Sequence, residues 1–354
     1  MSLLITTCPG LEDVSLKEIK KLIPIRNAKL KPQGVQGRLI IECGCALDNA
    51  SLALNMNART IHRVSILLCT FKLSRKYEGL NEIYKKLVNC NLEDYITPHT
   101  TFAIRAERLG VHEYTSIDIA KVAGQAVIDS ISLKYGSKPK VNLDAPAIIL
   151  RVDVVGDSCL ISICTTGDDS LHKRGYRVYD HPAALKPTIA YAIAMLSQIP
   201  QNGVVVDPMC GGGTIPIECY FLNKSLSIYG IDISPKHIHG AKLNALAAGI
   251  LNEIKFIVGD ARKLNELINF DVDRMISNLP YGIRIGRKHV LKTLYEKFLK
   301  SARQVLKDDG IITLLTTEYK LIKNVADNLK YTIKSYRRIF HGNLSPFIIL
   351  LEKT

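Results

Sequence analysis

The chain has 354 residues, 47% of them hydrophobic and 23% charged, which excludes a disordered protein and leaves room for two or three domains with separate cores. A formal net charge of +14 points to a polyanionic partner, and it is unevenly placed: residues 171–354 hold 26 Lys and Arg against 15 Asp and Glu, the first 170 hold 21 against 18. No apolar run approaches the roughly 20 residues that cross a bilayer, and Met1 to Leu22 turns charged too early for a signal peptide, so a cytoplasmic protein with no membrane partner is expected.

Leu3 to Thr7 reads as a strand, and Leu11, Val14, Ile19, Leu22 and Ile23 fall near helical spacing after the Pro9-Gly10 turn. Ala28 to Lys31 and Arg38 to Glu42 are strands around the turn-rich Pro32 to Gly37; Leu47 to Ala58 is a second helix and Val64 to Lys72 a further strand. Strand, helix, strand, strand, helix, strand predicts an α+β ferredoxin-like domain over residues 1–75. Nine cysteines without a Cys-x-x-Cys pair argue against disulfides and zinc; no metal is expected, and Cys43-x-Cys45 reads as core thiols.

In residues 76–167, Leu80 to Leu87 reads as helix, Thr101 to Glu107 as strand, and Ile117 to Tyr135 as a long helix closed by Gly136. Ile148 to Val155 and Ser158 to Thr165 are strands joined across Gly156-Asp157, a hairpin signal. No catalytic pairing stands out. His112 reads as solvent-facing, and Arg105 and Arg108 suit either phosphate binding or the guarding of a sheet edge.

The polar stretch at 168–185 packs Lys173, Arg174 and Arg177 around Tyr176 and Tyr179, cations interleaved with rings that can stack bases; a solvated hinge has the same composition. LHKRGYR at Leu171 to Arg177, followed by the helix entry at Pro182 to Thr188, resembles the junction in methyltransferases that carry an RNA-binding THUMP domain. The resemblance covers nearly the whole chain. It implies a ferredoxin-like domain (1–75), a THUMP domain (76–167), a basic linker (168–185) and a Rossmann-like class I methyltransferase domain with a mostly parallel seven-stranded sheet (186–354).

Gly203 to Glu218 is a buried strand ending at Asp207, a glycine turn at Gly211 to Gly213, and a helix from Thr214 that tolerates Pro216 in its first turn. Such a loop offers backbone N–H groups beside a carboxylate. Pro216 stands where the dinucleotide fingerprint wants its third glycine, and the lysine of a phosphate loop is absent. S-adenosylmethionine, with an ammonium and no pyrophosphate, suits the acid better, although an NAD site and a phosphate loop stay open on this stretch alone. Ser227 to Ile231 then ends at Asp232, placed for ribose hydroxyls, and Lys255 to Val258 ends at Gly259-Asp260, placed for an adenine amino group. Each acid alone is as good a helix cap. Three at successive strand ends point to an adenosine cofactor, and the expected cofactor site is Asp207, Met209, Cys210, Gly211, Gly213, Asp232, Ile233, Asp260, Ala261 and Asn278.

The chemistry is expected after the strand Arg274 to Ser277, at Asn278-Leu279-Pro280-Tyr281. The Asn278 side-chain oxygen and the Leu279 carbonyl can accept both hydrogens of a nucleobase amine, Pro280 fixes the carbonyl direction, and Tyr281 can stack on the base. An ordinary turn uses the same residue types. The stretch resembles the Asn-Pro-Pro-Tyr motif of amino-group methyltransferases with Leu279 for the first proline, and its Asn-Leu-Pro-Tyr form is similar to archaeal THUMP-containing tRNA (guanine-N2)-methyltransferases. That resemblance implies N2-methylation of guanosine 6 in the tRNA acceptor stem, docking of the 3′ CCA end, and a flipped target base. Guanosine 10, a ribosomal guanosine, methylation of another amino group, and a non-catalytic RNA-binding protein with a vestigial fold are the competing readings. Arg284, Arg287 and Lys288 extend the RNA-binding set beside the loop. Ile311 to Thr316 and a closing pair, Tyr331 to Phe340 with Pro346 to Glu352, complete the sheet. No obligate protein partner is evident, and a monomer is expected.

Overall fold

The computed structural model describes residues 2–280, 288–342 and 344–354, with Lys288 described by its backbone alone. The chain divides into two compact units: Met1–Thr7 with Leu16–Leu171, and Cys8–Ser15 with His172–Thr354.

The first unit carries β1 (Ser2–Thr7), most of α1 (Glu12–Leu22), β2 (Ile25–Leu30), β3 (Arg38–Cys43), α2 (Leu47–Asn57), β4 (Ile61–Lys72), α3 (Glu78–Val88), β5 (Thr101–Leu109), α4 (Ser116–Tyr135), β6 (Lys140–Val141), β7 (Ile148–Val155) and β8 (Ser158–Cys164). Local chemistry sets several boundaries. Thr115 caps α4 in a reciprocal pair with Asp118, and Gly136 ends it at φ 70°, where a side chain would be strained. All eight strands form one sheet in the order β2-β3-β1-β4-β8-β7-β5-β6. Antiparallel pairing of β4 with β8, from Ser65 opposite Cys164 to Lys72 opposite Ser158, makes the sheet continuous across residue 75, and a large core from Leu3 to Ile163 lies on it.

Three smaller expectations change here. Cys45 is exposed and so is no core thiol, whereas Cys43 is half-buried against the core. His112 is half-buried with Nε2 2.6 Å from the Gly156 carbonyl. Arg105 lies on β5 beyond the Thr101 and Phe102 stretch that β6 pairs, and it donates twice to the Asp168 carboxylate at 2.7 Å, so the charge at this edge is held in an ion pair.

The second unit holds α5 (Pro187–Leu196), β9 (Val204–Asp207), α6 (Thr214–Leu222), β10 (Ser227–Asp232), α7 (Pro235–Ala247), β11 (Ile254–Val258), α8 (Leu264–Leu267), β12 (Val272–Asn278), α9 (Lys288–Val305), β13 (Leu306–Thr316), α10 (Tyr319–Asn328), β14 (Tyr331–Arg338) and β15 (Phe347–Lys353). The strand order is β11-β10-β9-β12-β13-β15-β14, parallel except for β15, which is antiparallel to both neighbours. Helices cover both faces, so period-2 alternation serves two cores: Val205 and Ile276 pack with α5 and α6, Val206 and Met275 with α9. That double burial makes β9 read as Val-Val-Val rather than as an alternating strand. The order of connection reverses between β9 and β12, which opens a crevice at their carboxyl ends.

The segment Cys8–Ser15, expected in the N-terminal domain, belongs to this second unit. Arg337 pairs with Asp13 through both guanidinium nitrogens at 2.6 and 3.0 Å, and Phe340 N–H donates to Pro9. Gly10, at φ 93°, passes so close to Arg338 that an added Cβ would lie 2.5 Å from its carbonyl oxygen. No helix among the described residues is long and apolar enough to cross a membrane.

Candidate active site

A cavity of about 760 Å³ sits at the carboxyl ends of β9, β10, β11 and β12. Of the expected cofactor residues, Asp207, Met209, Cys210, Gly211, Asp232, Ile233, Asp260, Ala261 and Asn278 line it, as do Leu279 and Pro280. Gly213 does not. It begins α6 at φ 77°, and a Cβ there would fall 3.0 Å from Ala241 and 3.2 Å from the Phe256 ring, so its role is close packing of helix on strand. Tyr281, Arg284 and Arg287 lie outside the described residues, and so does the Lys288 side chain.

The glycine loop differs from the expected set of open amides. Met209 N–H donates to Asp207 Oδ1 at 3.1 Å, Cys210 N–H to the Ile231 carbonyl at 2.8 Å, and Gly211 N–H to Asp232 Oδ2 at 2.9 Å. The acids thus hold the loop. With those amides committed and no lysine in the loop, the crevice is poor for a pyrophosphate and better suited to an ammonium and hydroxyls. Asp232 Oδ1 also accepts from Ser234 N–H at 2.9 Å and lies 3.3 Å from His237 Nδ1. Asp260 is gripped by Arg262, Nε at 2.8 and 2.9 Å and Nη2 at 2.5 Å, and this pairing holds its carboxyl below the usual range. Asp207 is buried, and loss of hydration pushes its pKa up to about 7 despite the hydroxyl of Ser277, which donates to it at 2.9 Å.

The Asn278-Leu279-Pro280 stretch is held at three points, two on its backbone and one on the Asn278 side chain. Leu279 N–H donates to the Leu315 carbonyl at 3.0 Å, the buried Tyr295 hydroxyl to the Pro280 carbonyl at 2.8 Å, and the Asn278 amide nitrogen to Ala183 at 3.4 Å. The last bond commits the donor end of the amide to the connector and turns its acceptor end the other way.

The connector belongs to the second unit from His172 onward, and its His181 to Leu185 stretch walls this cavity. Tyr176, expected to stack bases, is buried with its hydroxyl 2.7 Å from Glu218 Oε1. Tyr179 is pinned by its N–H to Asn244 Oδ1 at 2.8 Å, and the same amide donates to the Gly212 carbonyl at 2.8 Å. Its ring occupies the space over Gly240, where a Cβ would meet it at 2.2 Å. His181 stands edge-on to His237, ring centres 4.3 Å apart, and burial first, then that neighbour, lowers its pKa. Lys173 is exposed, Arg177 pairs with Asp180 at 2.6 Å, and Arg174 is half-buried 3.9 Å from Glu218. Sequence reasoning misses Ser277, Tyr295, Asn244 and His181. The neighbouring position of β9 and β12 in a doubly wound sheet is the signal that could have paired Ser277 with Asp207.

A doubly wound sheet whose crevice combines strand-end acids with an Asn-Leu-Pro loop defines a class I methyltransferase domain. The RMKL-like methyltransferase domain family matches residues 174–345, and the THUMP domain family matches residues 77–164. The chain is 36% identical to the tRNA (guanine(6)-N2)-methyltransferase of Methanocaldococcus jannaschii, over 99% of this chain and 100% of that protein. It is 34% identical to the Archaeoglobus fulgidus protein of that name, over 98% of this chain and 90% of the relative. The crystal structure of TrmN from Thermus thermophilus, 29% identical, superposes with a TM-score of 0.79 over 100% of this chain and 99% of that one. The chain belongs to the THUMP-containing tRNA (guanine(6)-N2)-methyltransferase family.

Proposed function

We propose that this chain is an S-adenosylmethionine-dependent methyltransferase acting on the exocyclic N2 of guanosine 6 in the acceptor stem of tRNA. The reading is supported most directly by the cavity that brings Asn278 and Leu279 to one wall with Asp207, Asp232 and Asp260 on the others, together with the relatives' shared name. When bound, the cofactor supplies an electrophilic methyl group. Asp207 would hold its ammonium, Asp232 its ribose hydroxyls, and Asp260, steadied by Arg262, would with Ala261 hold its adenine. The Asn278 side-chain oxygen and the Leu279 carbonyl accept the two amino hydrogens and localise the nitrogen lone pair, an interaction that strengthens as the nitrogen becomes tetrahedral. No strong base is required before attack, because the amine proton becomes acidic once the methyl has arrived. From the sequence motif, Tyr281 is proposed to stack on the flipped base.

Lys173, Arg174, Arg177, Arg284, Arg287 and Lys288 are proposed to bind RNA phosphates, and the THUMP domain the 3′ CCA end. A cytoplasmic monomer is proposed on the same footing, as are the module limits at residues 75, 167 and 185. Mass spectrometry of nucleosides from treated tRNA is expected to give N2-methylguanosine, mapped to nucleotide 6. Methylation at nucleotide 10, or of ribosomal RNA alone, would move the target. No methylation of any RNA would leave a vestigial fold.

A pH dependence follows from Asp207. Its raised pKa of about 7 means that it is protonated below neutrality in the ligand-free protein. An ammonium beside it favours the carboxylate and lowers that pKa, so binding releases a proton below about pH 7. Affinity for S-adenosylhomocysteine, which carries the same ammonium, is expected to climb by up to tenfold per pH unit towards 7 and level off above it. Calorimetry between pH 5.5 and 8.5 checks this, and Asp207→Asn should flatten the profile.

A further inference from the structure

We propose that Tyr336, Arg338 and Phe340, backed by Tyr319 and Phe347, form a second RNA-binding surface that holds the strand flanking the target nucleotide; it rests on the RNA-methylation reading above. β14 is an edge strand whose register slips between Ile333 and Ser335, and Lys334, Ser335 and Tyr336 are all exposed. Tyr336 keeps 58% of its surface in water and Phe340 keeps 40%. Tyr319 lies 4.8 Å from Tyr336 and 5.2 Å from Phe347, centre to centre. The Arg338 guanidinium sits 5.6 Å from the Phe340 ring centre and 5.9 Å from that of Phe347, still exposed.

The plain alternative is a ring cluster that caps a hairpin. Tyr319 and Phe347, both half-buried, would suffice for that, whereas the exposed pair needs another reason. Charge supplies one. Lys320 and Lys323 are exposed beside the cluster, and a groove of about 530 Å³ between α10 and β14 includes Lys323 and Lys334 against the single acid Asp327, although Lys334 also pairs with Glu352 at 3.1 Å. Rings interleaved with cations are what a single-stranded segment needs, since every base has a face to stack and every linkage a phosphate.

Position supplies the other. Asn278 pairs with Leu315, Thr316 with Phe347, and Phe347 with Arg338, so the cluster lies at the same carboxyl edge of the sheet, about 14 Å from Asn278 at three strand spacings. Phe340 directly precedes His341, which lines the methyl-transfer cavity with Leu344. The surface is also held in place: Arg337 by Asp13, the Phe340 N–H by Pro9, and the Phe340 carbonyl by the Cys8 thiol at 3.2 Å. Flipping a guanosine out of a stem unstacks its neighbours, and an aromatic platform beside the cavity returns part of that stacking.

In the full-length protein, Tyr336→Ala with Phe340→Ala is expected to raise KM for tRNA about tenfold, with kcat at saturation and S-adenosylhomocysteine affinity within twofold of wild type. Tyr336→Phe, which keeps the ring, should retain the wild-type KM. Arg338→Ala should reduce the salt slope of tRNA binding by about one. If the double variant does not fold, Tyr336→Ser alone, at an exposed edge position, gives the same reading with a smaller rise. Wild-type KM and tRNA affinity in the variants that remove a ring, alongside an active parent enzyme, would overturn the platform while leaving the proposed function intact. A parent chain that neither binds nor methylates tRNA would overturn both.

Discussion

Asn278→Ala is expected to lower kcat for tRNA methylation by about 10²- to 10³-fold, while affinity for S-adenosylhomocysteine stays within about fivefold of wild type. An exocyclic purine nitrogen shares its lone pair with the ring, so the bound amine is a poor nucleophile until acceptors draw its hydrogens out of plane. Asn278 offers one acceptor and the Leu279 carbonyl the other. The loop around them is already fixed in this structure, by Tyr295 on the Pro280 carbonyl at 2.8 Å and by Leu279 N–H on Leu315 at 3.0 Å, so the substitution removes an acceptor without freeing the backbone. Because the contact strengthens only as the nitrogen changes geometry, the loss belongs in kcat, with KM for tRNA little altered. Single-turnover kinetics at saturating RNA separates these terms, and unimpaired turnover would remove Asn278 from the reaction.

Legibility in the sequence followed how local each determinant is. β9, the glycine turn and α6 were readable because strand burial, turn chemistry and helix entry all lie within Gly203 to Glu218. The α4 boundaries and the hairpin after Val155 were readable for the same reason. What escaped depends on partners far along the chain. Ser277 meets Asp207 across 70 residues, Tyr176 meets Glu218 across 42, and Phe340 meets Cys8 across 332. Tyr176 and Tyr179 looked like stacking rings because composition records which residues are near in sequence, not which face they turn to the core. The continuous eight-stranded sheet escaped likewise, since β4 and β8 pair across a separation of about 100 residues that no turn signal marks.

Asp232→Ala is the substitution expected to cost cofactor binding most, raising the dissociation constant for S-adenosylhomocysteine by about 10²- to 10³-fold. Its carboxylate bridges the glycine loop and the start of α7 through Gly211 N–H and Ser234 N–H, both at 2.9 Å, and it is the acid proposed for the ribose hydroxyls. Charge-assisted bonds of this kind contribute about 1.5–3 kcal/mol each, and removing the acceptor also leaves Gly211, at φ 51°, with an amide that has lost its carboxylate. The loop then loses the preorganisation its positive-φ turn requires before any ligand arrives. Asp232→Asn keeps one oxygen but sets an NH₂ against the other donor, so an intermediate loss is expected. The kinetic signature is the reverse of the one for Asn278: KM for the cofactor rises while kcat at saturating cofactor falls by less than tenfold. Calorimetric titration of both variants decides it, and an affinity within threefold of wild type for Asp232→Ala would show that the ribose is held elsewhere.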